Sequence, residues 1–392
     1  MRPALRSLMF VMVLLAACTG NHGSAIPDFG FPLPAELSAR EFGGLVDGLS
    51  EPAGYFQSDN LVSNETSYLH VLGALEVLGV HGGAYLGVGP DQNYSYIAEI
   101  QPQIAFMIDI RRDAVLQHLL YKALFELSRN RLEYLCLLTG APVPRDVRRY
   151  DEATIDQLIE FIDGQTVDAG GFERTAERVQ ELVQTYGVGL SPSDLSQIRR
   201  IHVAFVDWGL DVRYNARASN TELGRPLLSG SGRGNLNTVV WRNLLLQTDL
   251  GGAQRNYLAS RTAFHYLKEM HRRNRIVPVV GDLGGRHALP SIGHEIERRG
   301  LRVSAMYVSN VEQYLMQGPG FHRFAQTVVA LPFDDHSVII RSYLRGGHPQ
   351  NIYGHRATQI LEKIAAFAET IRQGGYTNYQ DLVTRNAIRI LD

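Results

Sequence analysis

The stretch "GGAYLGVGPDQNYSYIAEIQPQIAFMIDIRRD", residues 82–113, decides the fold. Residues 84–88 and 104–109 are apolar runs without alternation, the pattern of strands buried on both faces of a parallel sheet. Between them stand a glycine turn, "GVGP", and a short polar helix. After Asp109, Val115, Leu116, Leu119, Leu120, Ala123, Leu124 and Leu127 recur at helical spacing. The order strand, helix, strand, helix predicts an α/β domain whose sheet carries helices on both faces.

Working outward, "SDNLVSNETSYLHVLGALEVLG" offers Ser63 or Asn64 as a cap for a helix with Tyr68, Leu69, Leu72 and Leu75, leading into the first strand. Past residue 142 the rhythm changes. Amphipathic helices are expected near 154–163, 173–186 and 193–206, followed by the loop "LSGSGRGNLNT". The winding returns after a helix with Tyr257, Phe264, Leu267 and Met270. "RIVPVVGD" (275–282) reads as a strand, "ALPSIGHEIERRG" as a helix closed by Gly300, and "LRVSAMYVSN" as the next strand. "QTVVALPF" and "HSVIIRSY", separated by "DDH", predict an antiparallel pair at the sheet edge, and a last helix is expected to carry Ile360, Leu361, Ile364, Ala365 and Ile371. The expected organisation is a signal segment over 1–18, a tether over 19–54, two halves of a Rossmann-like domain over 55–141 and 257–392, and a helical insertion over 142–256.

The chain of 392 residues is 45% hydrophobic, enough for a substantial core. With 38 basic against 40 acidic residues there is no global field to attract nucleic acid. The opening "MRPALRSLMFVMVLLAACTG" has Arg2 and Arg6 before an apolar run from Leu8 to Ala17, shorter than the roughly 20 residues of a bilayer-crossing helix. It reads as a secretory signal, with an accidental apolar N-terminus or an early start codon as the alternatives. "LAAC" at Leu15–Cys18 resembles the lipobox of bacterial lipoproteins, which implies cleavage before Cys18, lipidation of that cysteine, and a membrane-anchored extracytoplasmic protein; a misread signal implies a cytoplasmic one. The Gly- and Pro-rich segment after Cys18 suits a flexible tether. The other cysteine, Cys136, lies in an apolar run, so no disulfide is expected.

In the glycine turn, Gly87 and Gly89 let the backbone approach a ligand because no Cβ stands in the way. Asp109 lies 22 residues beyond Gly87, and an acid about 20 residues after such a turn accepts hydrogen bonds from ribose hydroxyls. The dinucleotide fingerprint wants a third glycine where this chain has Gln92, which argues against a pyrophosphate ligand. Asp282 after "VPVVG" and Ser309 and Asn310 in "YVSN" complete a series in one winding order.

Those residues resemble the class I S-adenosylmethionine-dependent methyltransferases, in a bacterial branch, over roughly residues 60–130 and 257–345. The resemblance implies that "GVGPDQN", with Gly87, Gly89, Pro90 and Asp91, passes under the methionine part of S-adenosylmethionine; that Asp109 binds the ribose; and that Asp282 lies by the adenine. It also implies that Ser309 and Asn310, in "SNVEQYL", stand nearest the transferred methyl group. Two features depart from the family pattern: Pro90 replaces a further glycine, and the gap between second and third strands is large. The methyl acceptor is an unidentified small molecule or lipid. Glu65, Glu312 and His336 are unranked candidates for a general base. Asn64 and Glu65 either cap a helix or reach the amino group of the methionine part. The insertion is either a lid over the acceptor or a packing elaboration.

Hydrolase and nucleoside-triphosphatase patterns are missing. "GHEIERRG" has Arg298 where HExxH needs its second histidine, no serine sits in a G-x-S-x-G elbow, and no P-loop occurs, so no metal site is expected. Two readings remain. One is a methyltransferase-like enzyme. The other is a lipid-anchored binding or scaffold protein on the same fold, because an exported domain has no obvious supply of a cytoplasmic cofactor.

Overall fold

The computed structural model describes residues 33–214, 239–344 and 346–390. Six strands form one sheet: β1 Ala84–Val88, β2 Ile104–Asp109, β3 Ile276–Val280, β4 Val303–Ser309, β5 Val338–Tyr343 and β6 Thr358–Lys363. Their order is β3-β2-β1-β4-β5-β6. The first five run parallel, and β6 pairs antiparallel with β5. The winding reverses between β1 and β4, and in sheets of this kind ligands bind in the crevice outside the carboxyl ends of the strands at that point. Every residue of β1 and β3 is buried, which is why these runs lack polar alternation.

The expected insertion helices form as Ile155–Asp163, Ala169–Thr185 and Pro192–Trp208. Capping boxes at Thr154 and Ser191 fix two of their starts. The third of them and Ala169–Thr185 both pack on the helix Arg112–Leu127, which follows β2. The loop "LSGSGRGNLNT" lies outside the described residues.

Three expectations are corrected. "QTVVALPF" is not a strand: its first part ends the helix Gly320–Ala330, whose buried residues Phe324, Ala325 and Val328 follow helical spacing. The antiparallel partner of β5 is instead β6, in the stretch read as the start of the last helix. "TQILEK" favours helix locally, but pairing with β5, Ile340 opposite Leu361 and Ser342 opposite Gln359, overrides that preference. The helix begins only at Ile364 and runs to Arg372. Nor does the tether reach residue 54. Residues Ala39–Leu49 form a helix started by a Ser38–Glu41 capping box, with Phe42, Val46 and Leu49 buried, and this helix packs on β3. Cys18 and the signal segment lie outside the described residues, among which no helix is long and apolar enough to cross a membrane.

The β5–β6 edge is pinned by a buried ion triad. Arg341, fully buried, donates from Nε to Glu312 Oε2 (2.5 Å), from Nη2 to Glu312 Oε1 (3.1 Å) and from Nη1 to Glu362 Oε2 (2.6 Å). Burial pushes the Glu312 carboxyl above its ordinary range against the pull of Arg341. Removing one partner of such a group strands the others without compensation. Arg341→Met is therefore expected to lower the unfolding free energy by about 3–5 kcal/mol in urea titrations. Adding Glu312→Gln and Glu362→Gln is expected to recover most of that loss.

Candidate functional site

The glycine turn is locked from inside the protein. Gly89 has φ +83°, a conformation that favours glycine. Gly87 is bare for a different reason: a Cβ there would stand 2.1 Å from Asn93 Oδ1 and 2.7 Å from Tyr85 Cε1. Asn93 donates to the Val88 carbonyl (2.9 Å) and the Pro90 carbonyl (2.8 Å) and accepts from Tyr85 Oη (2.7 Å). The close approach inferred for a ligand at Gly87 is thus taken by the chain's own asparagine. From the helix Arg112–Leu127, His118 Nε2 reaches the Gly89 carbonyl (3.0 Å), while its Nδ1 meets Tyr94 Oη (2.9 Å). A neutral ring donating from Nε2 and accepting at Nδ1 satisfies both contacts, and burial pulls the imidazole down to about 4.

Pro90 and Asp91 are buried. Asp91 Oδ2 accepts from Trp241 Nε1 (2.9 Å) and Tyr257 Oη (3.0 Å), so its carboxylate ties the turn to the helical layer. Burial raises it to about 6 despite those bonds. Gln92, in the place of the third glycine, donates to Tyr307 Oη (3.2 Å). Asp91 Oδ1, Gln92 Oε1 and Asn60 Oδ1 are buried acceptors without a partner.

Asp109 follows the Val88–Ile108 pair and so stands beside Gly89 on the carboxyl edge. It is clasped by Arg111: Oδ1 accepts from the Arg111 backbone N (2.9 Å) and Nε (3.1 Å), and Oδ2 accepts from Nη2 (2.9 Å). Oδ2 carries a single bond and retains acceptor capacity. On the neighbouring strand, Asp282 lies two residues past Val280, the partner of Asp109. Its Oδ1 accepts from Gly284 N (2.8 Å), and its own N donates to Glu51 Oε1 (2.6 Å). Both acids therefore share one edge, and both are engaged within the chain.

A strap, residues 50–65, runs along that edge. Val280 N donates to Ser50 Oγ (3.0 Å) and Glu51 N to the Val280 carbonyl (3.0 Å). Gly54 N donates to the Ile110 carbonyl (2.8 Å), and Arg111 Nη1 donates to the carbonyls of Ser58 (3.2 Å) and Asp59. Gln117 Nε2 holds the Leu61 carbonyl (2.6 Å). The strap ends at Glu65, which is 3% exposed. Its Oε1 accepts from Ser309 Oγ (2.5 Å), and its Oε2 from Tyr307 Oη (2.5 Å), Gln359 Nε2 (3.2 Å) and Ser342 Oγ. All four donors are neutral. Ser309 itself is left-handed at φ +51°, a strained setting for a residue with a side chain. Asn310 follows it, half-buried, and Asn64 sits half-buried beside Glu65.

The structure thus brings Gly89, Asp109, Asp282, Glu65, Ser309 and Asn310 to one edge. It removes two candidate bases: Glu312 belongs to the ion triad, and exposed His336, before β5 and so at the opposite edge, contacts the Leu78 carbonyl through Nδ1 (2.8 Å). Tyr307, Ser342, Gln359 and Arg111 were not singled out from the sequence. The available signal was polar residues inside buried apolar strands, as in "VIIRSY". Among the described residues no cluster of three or more metal-ligating side chains occurs.

Fold and edge together define an α/β protein with a doubly wound, mostly parallel sheet whose carboxyl edge is crossed by a strap. The chain belongs to the family described as Domain of unknown function (DUF7790), whose match covers residues 60–145 and 235–389, more than half of its length. No curated protein matches it. The break in the family match, 146–234, contains the helices Ile155–Asp163, Ala169–Thr185 and Pro192–Trp208.

Because the neutral His118 is favoured by folding, its contribution is complete above an unfolded value near 6.5 and is lost as pH falls towards 4. His118→Gln keeps a donor for the Gly89 carbonyl without a basic site. Its unfolding free energy is expected to fall less than the parent's between pH 6.5 and 4, by up to roughly 3 kcal/mol, in urea titrations at stepped pH. Asp91 acts oppositely over an overlapping range, so the comparison is of variant with parent.

Proposed function

We propose that the carboxyl edge of the sheet binds S-adenosylmethionine and that the protein is methyltransferase-like. The observation that carries this reading is Asp109: it ends β2 beside the turn that leaves β1, one strand from the point where the winding reverses, with acceptor capacity left on Oδ2. The unpartnered Gln92 Oε1 is the right kind of atom for an α-ammonium, and Asp282 shares the edge for contacts to the base. The bound cofactor supplies an activated methyl group. The chain's part is to orient the cofactor and shield the site from water, with Ser309 and Asn310 at the end of β4 next to the acceptor, a small molecule or lipid. No side-chain base is assigned. Glu65, with its four neutral donors, holds Ser309 and Tyr307 in position.

A second reading has its own support. The Asp109–Arg111 clasp, the strap and the filled space at Gly87 all suit a lipid-anchored extracytoplasmic binding or scaffold protein in which the crevice has been closed. Calorimetric titration of the purified chain with S-adenosylmethionine and S-adenosylhomocysteine decides between them. The first reading expects binding that Asp109→Asn weakens about tenfold or more, on the order of 1.4 kcal/mol; no binding by the parent chain supports the second. The mass of membrane-extracted protein, with or without a lipid on Cys18, gives its location independently.

A further inference from the structure

The strap lies where a nucleoside would have to lie, and its two ends are held differently from its middle. Before it stands the packed helix Ala39–Leu49; after it, Leu61 and Val62 are buried and Glu65 is fixed by four donors. Between them, Pro52, Ala53, Gly54, Tyr55 and Gln57 are exposed, and Phe56 is only half-buried, its ring 5.9 Å from that of half-exposed Tyr314. A segment anchored at both ends, with few buried apolar contacts between, opens at low cost relative to the core.

Two links join this middle to the sheet edge: Gly54 N donates to the Ile110 carbonyl, and one side chain, that of Arg111, holds the carbonyls of Ser58 and Asp59. The Arg111 guanidinium spends Nε and Nη2 on Asp109 and Nη1 on the Ser58 and Asp59 carbonyls. A ligand hydroxyl bound for the free acceptor position on Asp109 Oδ2 must pass the segment that the same guanidinium fastens, so entry at Asp109 and opening of the segment are coupled. We infer that residues 52–60 are a gate over the ribose position, fastened by Arg111, which opens to admit the ligand. This inference rests on the cofactor reading above for its ligand, but not for the gate itself.

Two measurements on the full chain separate the two. Without ligand, hydrogen exchange followed by mass spectrometry is expected to show peptides over 50–60 exchanging faster than β1 and β2, and about tenfold faster again in Arg111→Ala, with β1 and β2 unchanged. Strap amides as protected as the sheet in both proteins overturn the gate. The second measurement uses Gly54→Cys with Ile110→Cys. A Cβ at Gly54 would lie 2.5 Å from Ile110 Cγ1, so the two positions are close enough to be bridged. The oxidised form is expected to bind S-adenosylhomocysteine at least tenfold more weakly than the same protein after reduction. Equal binding in both redox states overturns the gate and leaves the cofactor reading standing. Failure of both states to bind, with the exchange result as expected, removes the cofactor and leaves the gate.

Discussion

Where five parallel strands end on one edge, backbone amides and carbonyls pass out of the ladder, and buried groups of that kind must find partners. Much else in this molecule answers that demand. The Val280 and Ile110 groups are met by the strap, the Gly89 carbonyl by His118, and the Val88 and Pro90 carbonyls by Asn93. The edge is thus finished by side chains from the helices behind the sheet and by a segment N-terminal to it. What is left over, the spare valence on Asp109 and the bare acceptors on Gln92 and Asp91, marks where the finishing is incomplete.

Much of this was legible in the chain. The apolar runs of β1 to β4 lack alternation because both faces are covered, so their limits could be read nearly to the residue, and the insertion helices announced themselves through caps and spacing. The failures have a common physical form. "QTVVALPF" and "TQILEK" are short apolar segments whose local preference does not decide between helix and strand; only the identity of the neighbouring strand does, and that is a tertiary fact. The helix Ala39–Leu49 lay hidden in the tether because its neighbourhood is rich in Gly and Pro, although the Ser38–Glu41 box was there to be seen.

The site was legible as a set of positions and not as a set of bonds. Spacing put Asp109 beside the turn, but nothing in "DIRRD" says that Arg111 folds back on it rather than pointing to solvent. Nor does "GVGPDQN" reveal that Asn93 occupies the room made by Gly87. Glu65 shows the same limit: its importance comes from four donors on β4, β5 and β6, far away in sequence and adjacent only after the sheet has formed.

The bond from Trp241 to Asp91 joins two stretches that the family match contains, across the stretch 146–234 that it skips. Two of the helices in that stretch pack on Arg112–Leu127, and Trp241, just beyond it, brings the chain back to the glycine turn. Trp241 and Tyr257 converge on one oxygen of Asp91, so a single carboxylate staples the glycine turn to the chain that resumes beyond those helices.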